Sequence, residues 1–153
     1  MLTRAQLALD DIVNLLRAAG EQTRLRLLVL LTESDLTVTD LIEILGQSQP
    51  RISRHLRLLA VARLVERHQE GAWAFFRTVE EGLPARIIGD LIAGIDPADS
   101  QLTRDRERLE QVRKRRSERA ASYFAENAAA WGDLRSLHVD ERRVEVAMLE
   151  LVG

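Results

Sequence analysis

The 153-residue chain reads as mainly α-helical with one small β-hairpin and a long helical extension. Three observations carry that reading. Apolar residues recur at helical spacing, as in Leu9, Ile12, Val13 and Leu16, and again in Ile52, Leu56 and Leu59. Caps and glycines punctuate those stretches at Gly20, Thr37, Gly46 and Ser48. The pattern then switches, between Leu64 and Val79, to β-formers around Gln69-Glu70-Gly71.

The elements follow in order. Leu2 to Ala19 is predicted helical, and Gly20 is expected to end it by supplying a positive φ. Arg24 to Leu31 is so apolar that it reads as a buried central helix. Thr37-Val38-Thr39-Asp40 resembles a capping box that opens a short helix through Leu45. Gly46 and Gln47 then form a tight turn into the helix that Ser48 caps, with Pro50 in its first turn, where a missing N–H breaks no bond. Leu64 to His68 and Ala72 to Val79 are the strands, with Trp73 and Phe75 on one face and Phe76 on the other. Pro84 to Ile95 is an amphipathic helix, and Asp96-Pro97 breaks the chain. A long polar helix is expected from Ala98 to about Ala130, with only Leu102, Leu109 and Val112 as an apolar stripe, and a last helix from Asp140 to Leu151. This divides the chain into a domain over 1–96 and an extension over 97–153.

Two helices joined by a glycine turn, followed by a hairpin, are the parts of a winged helix-turn-helix. The Ser48 helix carries Gln49, Arg51, Ser53, Arg54 and Arg57 off its apolar stripe. Such side chains near a helix N-terminus suit the major groove of double-stranded DNA: Arg matches guanine edges, Gln matches adenine, and Arg and Ser hold phosphates. His55 either reaches DNA or packs half-buried against the hairpin. His68, Gln69 and Gly71 at the wing tip are candidate groove or phosphate contacts, opposed by the charge of Glu70.

Composition bounds the alternatives. Hydrophobic content of 46% and charged content of 30% describe a globular chain. The absence of cysteine excludes disulfides and thiolate metal sites. No apolar run approaches the roughly 20 residues of a membrane span, and no leader pattern is visible, so a cytoplasmic protein is expected. A formal net charge of −2 argues against a nucleic-acid binder, but residues 47–77 hold six arginines against Glu66 and Glu70. The charge that faces the phosphates is the one that matters. No catalytic triad, carboxylate pair or phosphate loop is present, so no catalysis and no cofactor are expected.

The order of elements resembles the ArsR/SmtB-type winged helix-turn-helix repressors over roughly residues 8–95. The matching strings are Ala19-Gly20 with Thr23-Arg24-Leu25-Arg26-Leu27-Leu28, Leu36 to Leu41, Ser48-Gln49 through Ser53-Arg54-His55-Leu56, and Leu64-Val65-Glu66-Arg67 with Gly71-Ala72-Trp73. The resemblance implies a homodimer paired through residues 5–19 and 83–95, with half-site helices about one DNA turn apart. It does not bring the family's metal sites: Thr37 and Thr39 stand where the thiolates would be, and residues 83–95 hold Asp90 but no His. Arg63 stands where the family commonly has glycine. It implies about a kcal/mol of strain, a different turn, or a contact to the DNA backbone.

Beyond Arg104, Ser117-Glu118-Arg119-Ala120-Ala121 with Tyr123-Phe124, Asn127, Trp131 and Glu145 to Gly153 resembles the lead-in to a methyltransferase domain fused behind some such regulators. The glycine-rich S-adenosylmethionine loop is not in this chain, so the catalytic part is expected to be absent from it. Three readings stand: a DNA-binding repressor with an unknown effector, the regulatory front of a methyltransferase, or a dimerisation module. The basic run Arg113-Lys114-Arg115-Arg116 reads as a solvated helix face with i,i+4 pairs such as Arg106–Glu110, or as a further DNA contact. Tyr123, Phe124 and Trp131 read as packing residues.

Overall fold

The computed structural model describes residues 6–133, with side chains through residue 125. The last predicted helix, over 140–151, lies outside them. The chain is mostly helical, with a two-stranded antiparallel hairpin.

α1 (Leu9–Ala19) begins later than the sequence predicts. Ala8 is extended and offers no side-chain cap, while Asp10 and Asp11 sit in the first turn, where acids suit the helix dipole. Gly20 ends the helix at φ −81°, not at the expected positive φ. Its glycine is required by space: a Cβ there would sit 2.8 Å from the Leu16 carbonyl oxygen. α2 (Gln22–Glu33) starts at Glu21, whose carboxylate accepts the Arg24 N–H at 2.8 Å. It is the central helix: Leu27, Leu28, Leu30 and Leu31 are buried.

α3 (Val38–Leu45) opens on the predicted capping box. Thr37 Oγ1 accepts the Asp40 N–H and Asp40 Oδ2 accepts the Thr37 N–H. Gly46 closes it at φ +69°, a conformation that favours glycine. α4 (Gln49–Val61) follows, capped by Ser48. Its stripe of Ile52, Leu56 and Leu59 is completely buried against the leucines of α2 and the apolar face of α3.

The end of α4 resolves the question of Arg63. Leu64 N–H bonds the Leu59 carbonyl at 2.9 Å and Arg63 N–H bonds the Ala60 carbonyl at 3.0 Å, with Leu59 and Leu64 both buried. This is a Schellman closure, and it places Arg63 at φ +62°. The turn is therefore the usual one, held by an unfavourable residue. Arg63→Gly is expected to raise the unfolding free energy by about 1 kcal/mol, measured by urea denaturation; no gain would mean that the arginine side chain offsets the strain.

β1 (Val65–Glu70) pairs with β2 (Trp73–Thr78), Val65 opposite Thr78 and Glu70 opposite Trp73. The strand runs on through Gln69 and Glu70, which the sequence placed in the turn; Gly71-Ala72 alone make the turn, with Gly71 at φ +57°. Leu36 bridges Phe76 by two backbone bonds, tying the wing's base to the segment before α3. Trp73 and Phe75 share a face, but only Phe75 is buried, because Trp73 lies out at the tip. α5 (Leu83–Ala93) carries Pro84 in its first turn and buries Ile88.

α6 (Ser100–Asp133) runs 34 residues and packs along α2 and α3. The predicted stripe of Leu102, Leu109 and Val112 is buried, and so is Asp105, which interrupts it. Asp105 accepts two bonds from the Arg26 guanidinium, both 2.9 Å, and one from Gln101 at 3.0 Å. That carboxylate raises the Arg26 pKa above its ordinary value through the hydrogen bonds, against the effect of burial.

The basic run is self-paired only in part. Arg106 bonds Glu33 and not Glu110, which instead pairs with Arg113. Arg108 and Arg113 donate to the carbonyls of Ile44 and Glu33, and Arg115 pairs with Glu43. Arg116 pairs with Asp40, the capping residue of α3, and lies 5.8 Å from the centroid of the Phe75 ring. Burial, then the charge of Arg119, lowers the Arg116 pKa. A polar helix with few apolar contacts is thus fixed by arginines that cross to its neighbours.

Candidate nucleic-acid interface

α4 divides most of its side chains between two faces, although Leu58 and Val61 are exposed apolar residues toward its end. Ile52, Leu56 and Leu59 hold one face in the core, and Ser48, Gln49, Arg51, Arg54 and Arg57 are exposed on the other. Gln49 Nε2 donates to Ser53 Oγ at 2.8 Å, which orients both side chains one turn apart. The helix N-terminus adds its own positive potential to this face. Three guanidiniums, an amide and two hydroxyls therefore line the first two turns and the middle of one rigid helix.

His55 is turned inward. It does not pack against the hairpin, the alternative drawn from sequence, but against the corner between α1 and α2. Arg24 Nη1 lies 3.2 Å from its Nδ1, and Glu21 Oε2 lies 3.9 Å away. Arg24 also donates to the carbonyls of Ala18 and Arg17, closing that corner onto α4. Gln47 Nε2 bonds Thr23 Oγ1 at 3.1 Å, so the turn before α4 is tied to α2 as well. Sequence reasoning missed this network because its partners are far apart in the chain: Arg24 and His55 are 31 residues apart, and Thr23 and Gln47 are 24 apart.

Burial lowers the His55 pKa below its ordinary 6.5; Arg24, Arg51 and Arg54 add to this and Glu21 opposes it. Glu21 itself lies below its ordinary value: burial raises it, but the Arg24 and Thr23 N–H groups and the His55 charge outweigh that. The unfolded chain therefore binds the His55 proton at a higher pH than the folded chain does. Stability is fully present above the ordinary histidine value and falls as pH drops through and below it. Urea denaturation should give a lower unfolding free energy at pH 5.5 than at pH 7.5, and His55→Gln should flatten that difference. Equal slopes with and without the imidazole would contradict a His55 pKa lowered by the fold.

At the wing tip His68 Nε2 lies 3.0 Å from Glu70 Oε1, and Gln69 Nε2 donates to the Gly71 carbonyl at 3.1 Å. Two of the three predicted wing contacts thus have partners within the wing, and Gly71 makes the turn. Arg77 pairs with Glu66 across the strands, which raises its pKa.

Thr37, at one of the positions where the resemblance places thiolates, caps α3, and Thr39 is exposed. Among the described residues, no group of three or more His, Asp or Glu lies together as a metal site, and no helix is long and apolar enough to cross a membrane. Apolar side chains left exposed gather elsewhere. Leu9, Val13 and Leu16 on α1 and Leu91 on α5 face solvent, so the predicted stripe of α1 is not part of the core. A groove of about 580 Å³ opens between α1, the end of α4 and the start of α5, lined by Leu15, Ala18, Leu58, Val61, Arg63 and Pro84.

The family model described as "Bacterial regulatory protein, arsR family" matches residues 21–67, which span α2, α3, α4 and the start of the wing. The arsenical resistance operon repressor of Escherichia coli is 41% identical over 66 residues, 42% of this chain and 56% of that protein, so the match spans little more than half of it. An HTH-type transcriptional regulator of Methanocaldococcus jannaschii is 38% identical over 73 residues, 47% of this chain and 82% of that protein. Among solved structures, the transcriptional repressor BigR from Xylella fastidiosa superposes with a TM-score of 0.50 at 27% identity, over 55% of this chain and 82% of that one.

Proposed function

The chain belongs to the arsR family of bacterial regulatory proteins, and from that premise we propose that it is a homodimeric, sequence-specific DNA-binding repressor. Its relatives include named repressors of transcription. The observation that carries the reading is the exposed face of α4, where Gln49, Arg51, Ser53, Arg54 and Arg57 stand opposite a fully buried stripe. These residues, with Ser48, dock in the major groove. His55 supports that helix from behind, and His68, Gln69 and Gly71 flank it from the wing.

The dimer uses α1 and α5. Leu9, Val13, Leu16 and Leu91 expose apolar area that a partner would remove from water, at about 25 cal/mol per Å². Paired helices would present two α4 helices to successive major grooves. An effector releases the repressor from DNA; the threonines at the thiolate positions point to one other than a thiolate-bound metal.

Sedimentation with and without duplex DNA tests this. The expected result is a dimer that takes up one duplex carrying two half-sites. A monomer that ignores DNA at low salt would sink the proposal, and a dimer that ignores DNA would leave a dimerisation module.

A further inference from the structure

α6 carries a row of four arginines, of which only Arg108 and Arg115 help to dock it. Arg104, Arg108, Arg115 and Arg119 recur at spacings of four, seven and four. At about 100° per residue they fall within about 60° of arc, on one flank of the buried seam. Arg106 and Arg113 lie on the other flank, held by Glu33. Arg104/Arg108 and Arg115/Arg119 are like-charge pairs at i,i+4, which weaken a helix. No carboxylate among the described residues forms an ion pair with Arg104 or Arg119; Arg104 donates to Gln101.

The position of the row is informative. Arg108 Nη1 donates to the Ile44 carbonyl at 2.9 Å, at the end of α3, beside the turn that leads into the Ser48 cap. Arg115 pairs with the exposed Glu43 on the same helix. Arg119 shares a small cavity of about 110 Å³ with Thr39 and with Trp73 at the wing tip. The row therefore passes from the helix-turn-helix to the wing, the two parts that flank a bound duplex in the proposal above.

We infer that this arginine row is a second DNA-binding surface that takes the phosphate backbone flanking each half-site. The inference rests on the DNA-binding reading of α4. The row is about 22 Å long, about two thirds of the roughly 34 Å axial length of one DNA turn, enough to follow a stretch of one strand's backbone. Guanidinium forks suit phosphate oxygens, and a phosphate would draw Arg115 from a solvent-exposed pair that is itself weak. Glu107 and Glu118 border the row on its outer edge and restrict binding to the side facing α3 and the wing. An acidic protein would also suit arginines, but nothing about it would require a row that joins the helix-turn-helix to the wing.

The test compares the full chain with Arg104→Gln/Arg119→Gln by fluorescence anisotropy across a salt series. Two duplexes from the chain's own upstream DNA are used, one ending at the half-sites and one extended by about a turn on each side. Both substituted residues are exposed, and each change removes a like-charge pair, so the melting temperature should equal or exceed that of the unchanged chain. The expected result is that the unchanged chain prefers the long duplex. The variant loses that preference, and its log–log salt slope falls by about two per protomer. Identical slopes on the long duplex, at an unchanged melting temperature, overturn the inference and leave the row to an acidic protein or to solvent. Specific binding by the unchanged chain to neither duplex overturns the α4 reading itself, and this inference with it.

Discussion

Asp105→Ala is expected to lower the unfolding free energy by about 3–5 kcal/mol, read by urea denaturation. The carboxylate is 2% exposed and its Arg26 partner 13%. Removing the acid leaves a guanidinium largely cut off from water, with two donors unmatched. Desolvation then dominates, since a buried charge that loses its counter-charge loses far more than a surface ion pair contributes. The companion experiment is Arg26→Met with Asp105→Leu. With both charges gone the destabilisation should largely disappear, because well-packed apolar pairs often match buried ion pairs. Near-neutral behaviour of Asp105→Ala would mean that α6 is not held on α2 by this pair. The neighbouring tie between Arg116 and Asp40 reaches the cap of α3 and the ring of Phe75, so undocking α6 should also loosen the wing.

Arg54→Ala should weaken specific DNA binding by about 1–3 kcal/mol per half-site if the guanidinium reads a base edge. The side chain is exposed on α4, directly after Ser53 of the oriented Gln49–Ser53 pair, and it plays no part in the core. The melting temperature should therefore stay unchanged. If Arg54 only neutralises a phosphate, the loss will be uniform across sequences and the salt slope will fall by about one per half-site. A variant unchanged in both respects removes Arg54 from the interface. Arg57→Ala, one turn further along the helix, provides the comparison.

The parts of this fold that follow from local chemistry could be read in the sequence. Thr37 and Asp40 form the expected capping box, Ser48 caps α4, and the Ile52, Leu56 and Leu59 stripe is buried. Arg63 at a glycine position left strain, a different turn or a DNA contact open, and its φ of +62° fits the first and excludes the second. The errors came where tertiary contacts decide. Gly20 is a local exception: it was assigned a positive φ, but its glycine answers to the carbonyl of Leu16, one turn back on the same helix. The α1 stripe is not an error of this kind: residues 5–19 were expected at a dimer interface, and the stripe stays outside the core of one chain. The α6 arginines were paired along their own helix, whereas Arg106, Arg108, Arg113, Arg115 and Arg116 all reach acceptors on α2 or α3, namely Glu33, Ile44, Glu43 and Asp40. One signal was present and unused: Asp105 falls in register with Leu102, Leu109 and Val112, and a charge within an apolar stripe implies a buried partner. His55 was ambiguous in sequence because the recognition helix carries charge on one face and apolar residues on the other, and position 55 lies on the border between them.

The central claim is that α4 reads a particular DNA sequence. Fluorescence anisotropy tests it most directly, with the full chain titrated against its own upstream duplex and against a scrambled duplex of equal length, at two salt concentrations. The account predicts binding to the first at least about a thousandfold tighter than to the second, with the ratio preserved as salt rises and both affinities fall. Weak, equal binding to both duplexes that salt abolishes would contradict it, leaving only a basic surface on a helical fold.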